Sequence, residues 1–173
     1  AIFGYNKQYN VFAVEIYDSL LNNDLEWVEL ASNDAGKLDD VLIGSKKEVK
    51  AYQVKDITGN LTYQKFTDSD TESIFKGCYK GWLYLKEKYP EKKILAKYIS
   101  NELPSSSDKI SKFIGTKTPS FKEFIQLFWN RIKIENLEVD EISSQWKEVF
   151  NELKMKTNSS DANLIEFIKS FDF

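Results

Sequence analysis

The 173-residue chain carries 24 Lys and Arg against 27 Asp and Glu, a net charge of −3, with one cysteine and no histidine. That composition excludes a Ser–His–Asp triad, a Cys–His dyad, a histidine general base, a disulfide framework and a cysteine-rich zinc site. With 42% hydrophobic residues against seven Gly and three Pro, the length suits one domain, or a domain with a small annex. In chain order, residues 5–22 predict a helix with a wide apolar stripe of Tyr5, Val11, Phe12, Val14, Ile16, Leu20 and Leu21, ended by Asn22-Asn23-Asp24. Residues 25–31 alternate acidic with apolar residues and predict a strand, followed by a loop over 32–37. Residues 40–44 and 48–57 predict two more strands, joined through Gly44-Ser45-Lys46-Lys47 as a compact hairpin. Gly59-Asn60 reads as a turn and 61–66 as a minor extended piece. Residues 68–89 read as a helix capped by Ser69 or Asp70 and closed by Pro90, and 93–100 as a fourth strand. Beyond a linker at Leu103–Ser107 the pattern is helical only, at 107–114, 119–133, 139–156 and 160–171.

The expected architecture is therefore α/β, a mixed four-stranded sheet flanked by helices over residues 1–102, with a helical annex over 103–173. Charge is unevenly spread. Residues 76–97 hold seven lysines and two acids, a balance of +5, whereas 134–173 hold nine acids and four lysines, a balance of −5. The first is a candidate surface for a polyanion, with Lys76, Lys80, Lys86 and Lys88 on one predicted helix. Arg131 is the sole arginine, which argues against recognition by many bidentate forks. No apolar run approaches the roughly 18 residues that cross a bilayer, so no membrane partner is expected and a reducing cytoplasm is the expected setting. The start at Ala1 and the end at Phe171-Asp172-Phe173 are those expected of a processed chain or of a piece of a longer protein.

Acids, amides and lysines must carry any chemistry. A hairpin centred between Lys46 and Lys47 sets Asp40 opposite Gln53, and strand alternation puts Lys55 on the face of Gln53. A slip of one residue would select Asp39 instead. A carboxylate and a backbone carbonyl can hold Mg²⁺, while a neighbouring lysine orients water at a phosphodiester, and no histidine is needed.

Gly4-Tyr5-x-x-Gln8, Asp39-Asp40-Val41-Leu42-Ile43 and Tyr52-Gln53-Val54-Lys55 together resemble the PD-(D/E)xK nuclease superfamily. The Gln-x-Lys form resembles the double-stranded-DNA endonuclease domains of bacterial antiphage defence, among them CBASS nucleases and the Mrr-like or STAND-NTPase-fused nucleases. The resemblance spans about residues 4–57, and residues 101–173 add no motif to it. It implies a restriction-endonuclease-like fold, Mg²⁺ or Mn²⁺ as cofactor and double-stranded DNA as substrate. It also implies a homo-oligomer on activation and fusion to, or control by, a sensor or NTPase domain. By the same resemblance Asp40 is the metal-binding acid, Lys55 the catalytic lysine, and Gln53 stands where the common pattern has an acid. The Val54 carbonyl completes the metal shell, Glu15 or Glu29 adds an outer ligand, and Gln8 is structural near the site. A neutral Gln53 removes one charge, which weakens divalent-ion binding unless Glu15 or Glu29 compensates.

Overall fold

A computed structural model describes residues 2–32, 35–68 and 73–173, and for residues 2–5 the backbone alone. The chain opens with helix α1 (Ile2–Leu21), then strands β1 (Leu25–Leu30), β2 (Val41–Ser45) and β3 (Glu48–Leu61). Two helices follow, α2 (Tyr63–Thr67) and α3 (Ile74–Lys88), then β4 (Lys93–Pro104). Helices α4 (Phe121–Phe124) and α5 (Asn130–Ile134) flank a π-helical stretch at Ile125–Trp129, and α6 (Lys147–Thr157), α7 (Asp161–Ser170) and β5 (Phe171–Asp172) complete the order. The five strands form one mixed sheet in the order β1-β2-β3-β4-β5. The β1–β2 and β2–β3 pairs are antiparallel and the β4–β5 pair is parallel. Near the start of both strands the Lys93 N–H donates to the Lys47 carbonyl, and near their far ends the Asn101 side chain reaches Asp56. The two chains advance together, so β3 and β4 run parallel, and α3 is the crossover that parallel neighbours require.

The chain divides into two units, one of Ala1–Thr58, Gly77–Asn101 and Phe171–Phe173, the other of Gly59–Lys76 and Glu102–Ser170. In the first unit Val41, Ile43, Tyr52 and Val54 form a buried cluster, and Val11, Phe12 and Ile16 of α1 pack on it with Leu25 and Ile99. Alternation does this: residues two apart on β2 and β3 share the face that α1 covers. On β1 the Trp27 indole lies where a side chain at Gly44 would stand and stacks on Tyr89 with ring centroids 5.4 Å apart.

The second unit is built around aromatic rings, with Phe66, Phe75, Phe121, Phe124, Trp129 and Phe167 almost wholly buried and in mutual tilted or edge contact. Asp108 joins two helix starts in this unit. One carboxylate oxygen accepts the Tyr63 N–H at 2.8 Å and the other the Phe121 N–H at 2.9 Å, covering amides that α2 and α4 leave unpaired.

Several expectations change. The sheet has five strands rather than four, because Phe171 leaves the helical pattern to pair with Ala96. Gly59-Asn60 is no turn: β3 continues to Leu61, Gly59 at φ 124° supplying a conformation that L side chains rarely adopt. Residues 61–66 are consequently not extended throughout, since Thr62 caps α2 by accepting the Lys65 N–H. Leu103 and Pro104 belong to β4 rather than to a linker. Residues 107–114 are irregular, folded on Ser105 and Asp108 and on the Ile110 N–H to Pro119 carbonyl bond. The expected caps Ser69 and Asp70 lie outside the described residues, and Ser73 accepts the Lys76 N–H in the first turn of α3. Among the described residues no helix is long and apolar enough to cross a membrane.

Candidate functional site

The β2–β3 register pairs Val41 with Tyr52 and Leu42 with Ala51, and beyond its last pair Asp40 and Gln53 meet through their side chains. Within β2 this is the register that a hairpin centred between Lys46 and Lys47 requires. Just before β2 the Asp40 N–H donates at 3.2 Å to the Tyr52 carbonyl, although Tyr52 is already the partner of Val41, so the ladder is offset by one residue at Asp40.

The Asp40 carboxylate is held by three N–H donors from two elements. Gln8 of α1 donates to Oδ1 at 2.6 Å, the Val54 backbone N–H donates to Oδ2 at 2.6 Å, and the Gln53 amide donates to the same Oδ2. Gln53 is only 2% exposed, an unusual position for an amide unless its partners are supplied. Lys55, two residues along β3, is exposed. Asp39 is half-buried, and burial together with the adjacent Asp40 charge pushes its carboxyl above the usual range, against a smaller opposing effect of Lys55.

Three residues not singled out from the sequence join this end of the sheet. Lys7 of α1 donates to the Lys55 carbonyl at 3.3 Å and to Asn101 Oδ1 of β4 at 2.8 Å, and Asn101 Nδ2 donates to Asp56 Oδ1 at 3.1 Å. Lys7 and Asp56 adjoin residues already singled out, Gln8 and Lys55. Asn101 becomes visible only once β3 and β4 are known to be parallel.

The segment that delivers Asp39 and Asp40 rests on α3. Ala35 and Leu38 are fully buried, and a Cβ on Gly81 would stand 2.0 Å from the Ala35 carbonyl oxygen. Gly36, at φ 59°, sits against the Gly77 carbonyl. Glycines one turn apart on α3 let the backbone of 35–38 come this close.

The other candidates are placed elsewhere. Glu15 pairs with Lys50 at 3.2 Å and hydrogen-bonds the Tyr52 phenol, which burial and that bond hold protonated, so Glu15 is committed to β3 away from Asp40. Glu29 lies exposed on β1 opposite Leu42. The α3 lysines do not form one track. Lys86 lies over the Trp82 ring at 5.0 Å and Lys88 over Tyr84 and Tyr89 at 5.4 and 5.6 Å, and two residues turn a helix by about 200°. Lys80 is exposed one turn before Tyr84, and Lys76, also exposed, falls in the second unit.

Among the described residues no three His, Cys, Asp or Glu side chains converge in a way that would hold a metal ion. What the Asp40 site offers is one carboxylate, a buried amide and backbone carbonyl oxygen, a hard oxygen set of low charge that fits Mg²⁺ or Mn²⁺ in kind. Turning the Gln53 amide by 180° exchanges its donor for its acceptor toward Asp40.

No family model, no curated protein and no solved structure matches this chain.

Proposed function

We propose that the first unit is a metal-dependent endonuclease domain acting on double-stranded DNA, with Asp40, Gln53 and Lys55 as its working residues. The observation that carries the reading is the meeting of Asp40 and Gln53 across the hairpin, with exposed Lys55 two residues on. The order of helix, antiparallel three-stranded meander, crossover helix and parallel strand agrees with the restriction-endonuclease-like fold that the sequence resemblance implies. A divalent ion held by Asp40, the Gln53 amide oxygen and the Val54 carbonyl would supply Lewis-acid polarisation of the scissile phosphate. Asp40 would give the site its negative charge, and Gln8 would fix the direction in which its carboxylate points. Lys55, a compact cation on a flexible stem, would hold the attacking water against the phosphate oxygen. Exposed lysines of α3, Lys80 foremost, would bind phosphates without reading bases. A place as the effector of an antiphage defence protein, assembled on activation under a sensor domain, rests on the resemblance alone.

The test is conversion of supercoiled plasmid with Mg²⁺ or Mn²⁺. Cleavage by the parent and its loss in Asp40→Ala and Lys55→Ala is the expected result, and a Lys55→Ala protein that cuts like the parent would refute the assignment. A second reading, a nuclease fold that only binds nucleic acid, is favoured by the commitment of both Asp40 oxygens and of Glu15 to protein donors. Salt-sensitive DNA binding without cleavage is its signature.

A further inference from the structure

Helix α1 has two apolar faces, and among the described residues only one of them is covered. Val11, Phe12 and Ile16 pack on the sheet. On the opposite side Tyr9, Val14, Tyr17, Leu20 and Leu21 are 56–67% exposed. Asn6, Asn10 and Ala13 fill the remaining positions of that side and are also exposed, so from residue 6 to residue 21 the stripe contains no charge. An exposed helix face in a monomer is expected to be charged and polar. Beside it, Val28 and Leu30 of edge strand β1 are 38% and 37% exposed, and their partners Ile43 and Val41 belong to the sheet face that α1 covers. The apolar surface thus extends from the helix to the sheet edge.

We propose that this face is a homodimer interface, in which α1 of one copy packs antiparallel on α1 of a second. Three features select a second copy as the occupant. A stripe without charge is complementary to itself, since two copies meet with no like charges opposed. One flank of the stripe carries Lys7 near the start of the helix, where two of its three ammonium N–H groups already bond the Lys55 carbonyl and Asn101, and Asp18 near its end. Antiparallel pairing sets Lys7 of one copy beside Asp18 of the other, twice, whereas parallel pairing opposes like charges. The size is also suitable. A 20-residue helix is about 30 Å long, and with the β1 edge two such faces bury on the order of 1,000 Å², the lower end for a specific interface. A weak, concentration-dependent dimer follows, of the kind that clustering can drive. The proposal stands whether or not the Asp40 site cuts DNA.

Sedimentation of the whole chain over a wide concentration range is expected to show monomer passing to dimer. In Tyr17→Glu/Leu21→Glu, which alters exposed positions only, association is expected to weaken more than about tenfold with the circular dichroism spectrum unchanged. Orientation is read by oxidation. Ala13→Cys, near the middle of α1, is expected to form a disulfide-linked dimer, and Leu21→Cys, near its end, is not; native Cys78 is buried and silent. A parent that stays monomeric, a double variant that dimerises like the parent, or a cross-link through Leu21→Cys in place of Ala13→Cys would overturn the proposal.

Discussion

Gln53 stands where an acid would give the site a second charge, and its amide answers a specific local need. With Asp40 Oδ2 already accepting the Val54 N–H, a neutral donor at position 53 satisfies the carboxylate without a cation. Gln53→Glu places two carboxylates together in a buried position. We expect that variant to lose about 1–3 kcal/mol of stability in metal-free buffer, and to gain more in Tm from added Mg²⁺ than the parent does. Equal melting shifts in the two proteins would mean that no divalent ion enters between positions 40 and 53. Asp39 gives a pH signature. Its folded carboxyl titrates above the ordinary 3.8, so the native state holds a proton that the unfolded chain has released, and stability falls as pH rises through that window. Asp39→Asn removes this fall. Its stability relative to the parent should increase from pH 3.8 upward and level off above the raised titration, as read by urea denaturation at a series of pH values.

At the scale of elements, the close seat of residues 35–38 on α3 makes two neighbouring glycines unequal. At Gly81 a new methyl meets the rigid Ala35 carbonyl oxygen at 2.0 Å, whereas at Gly77 it meets the flexible Lys37 side chain at 2.5 Å. Gly81→Ala is expected to cost about 1–3 kcal/mol despite the gain in helix propensity. Gly77→Ala should lie within about 1 kcal/mol of the parent, the same gain offsetting the shift of Lys37. Parallel denaturation curves check both, and a larger loss at Gly77 would contradict the packing. The elements also show what the sequence discloses. The neighbourhood of Asp40 and Gln53 is readable because a hairpin of known centre fixes the opposed pairs up to Val41 and Tyr52, beside which both residues stand. Glu15 is misplaced by the same reasoning, since helix phase alone does not tell which strand residue an acid will find, and here Lys50 and Tyr52 claim it. The irregular 107–114 segment shows helical periodicity but takes its backbone bonds from Ser105, Pro119 and the turn at Ile110. The linker reading fails at Leu103-Pro104 because a proline is tolerated at the end of a strand, and Ser105 just beyond it still donates to the Leu61 carbonyl of β3.

At the scale of the whole molecule, the net charge of −3 conceals lysines spread around α3 rather than aligned along it. Binding to a polyanion should then be shallow and strongly screened. For duplex DNA, Lys80→Ala is expected to reduce the slope of log K against log salt by about one and to weaken all sequences alike, as measured by fluorescence anisotropy. An unchanged slope would place the phosphates elsewhere. The return of β5 to the sheet bears on how such a chain comes into being. Ala96 lies 75 positions before its partner Phe171, so the fifth strand cannot pair until the helices between them have left the ribosome. Until then β4 has an open edge toward solvent, the kind of edge that invites pairing with another nascent chain. Vectorial synthesis therefore makes the fifth strand a timer, and a nascent chain that has emerged only to residue 170 would hold every candidate site residue while its sheet is unfinished.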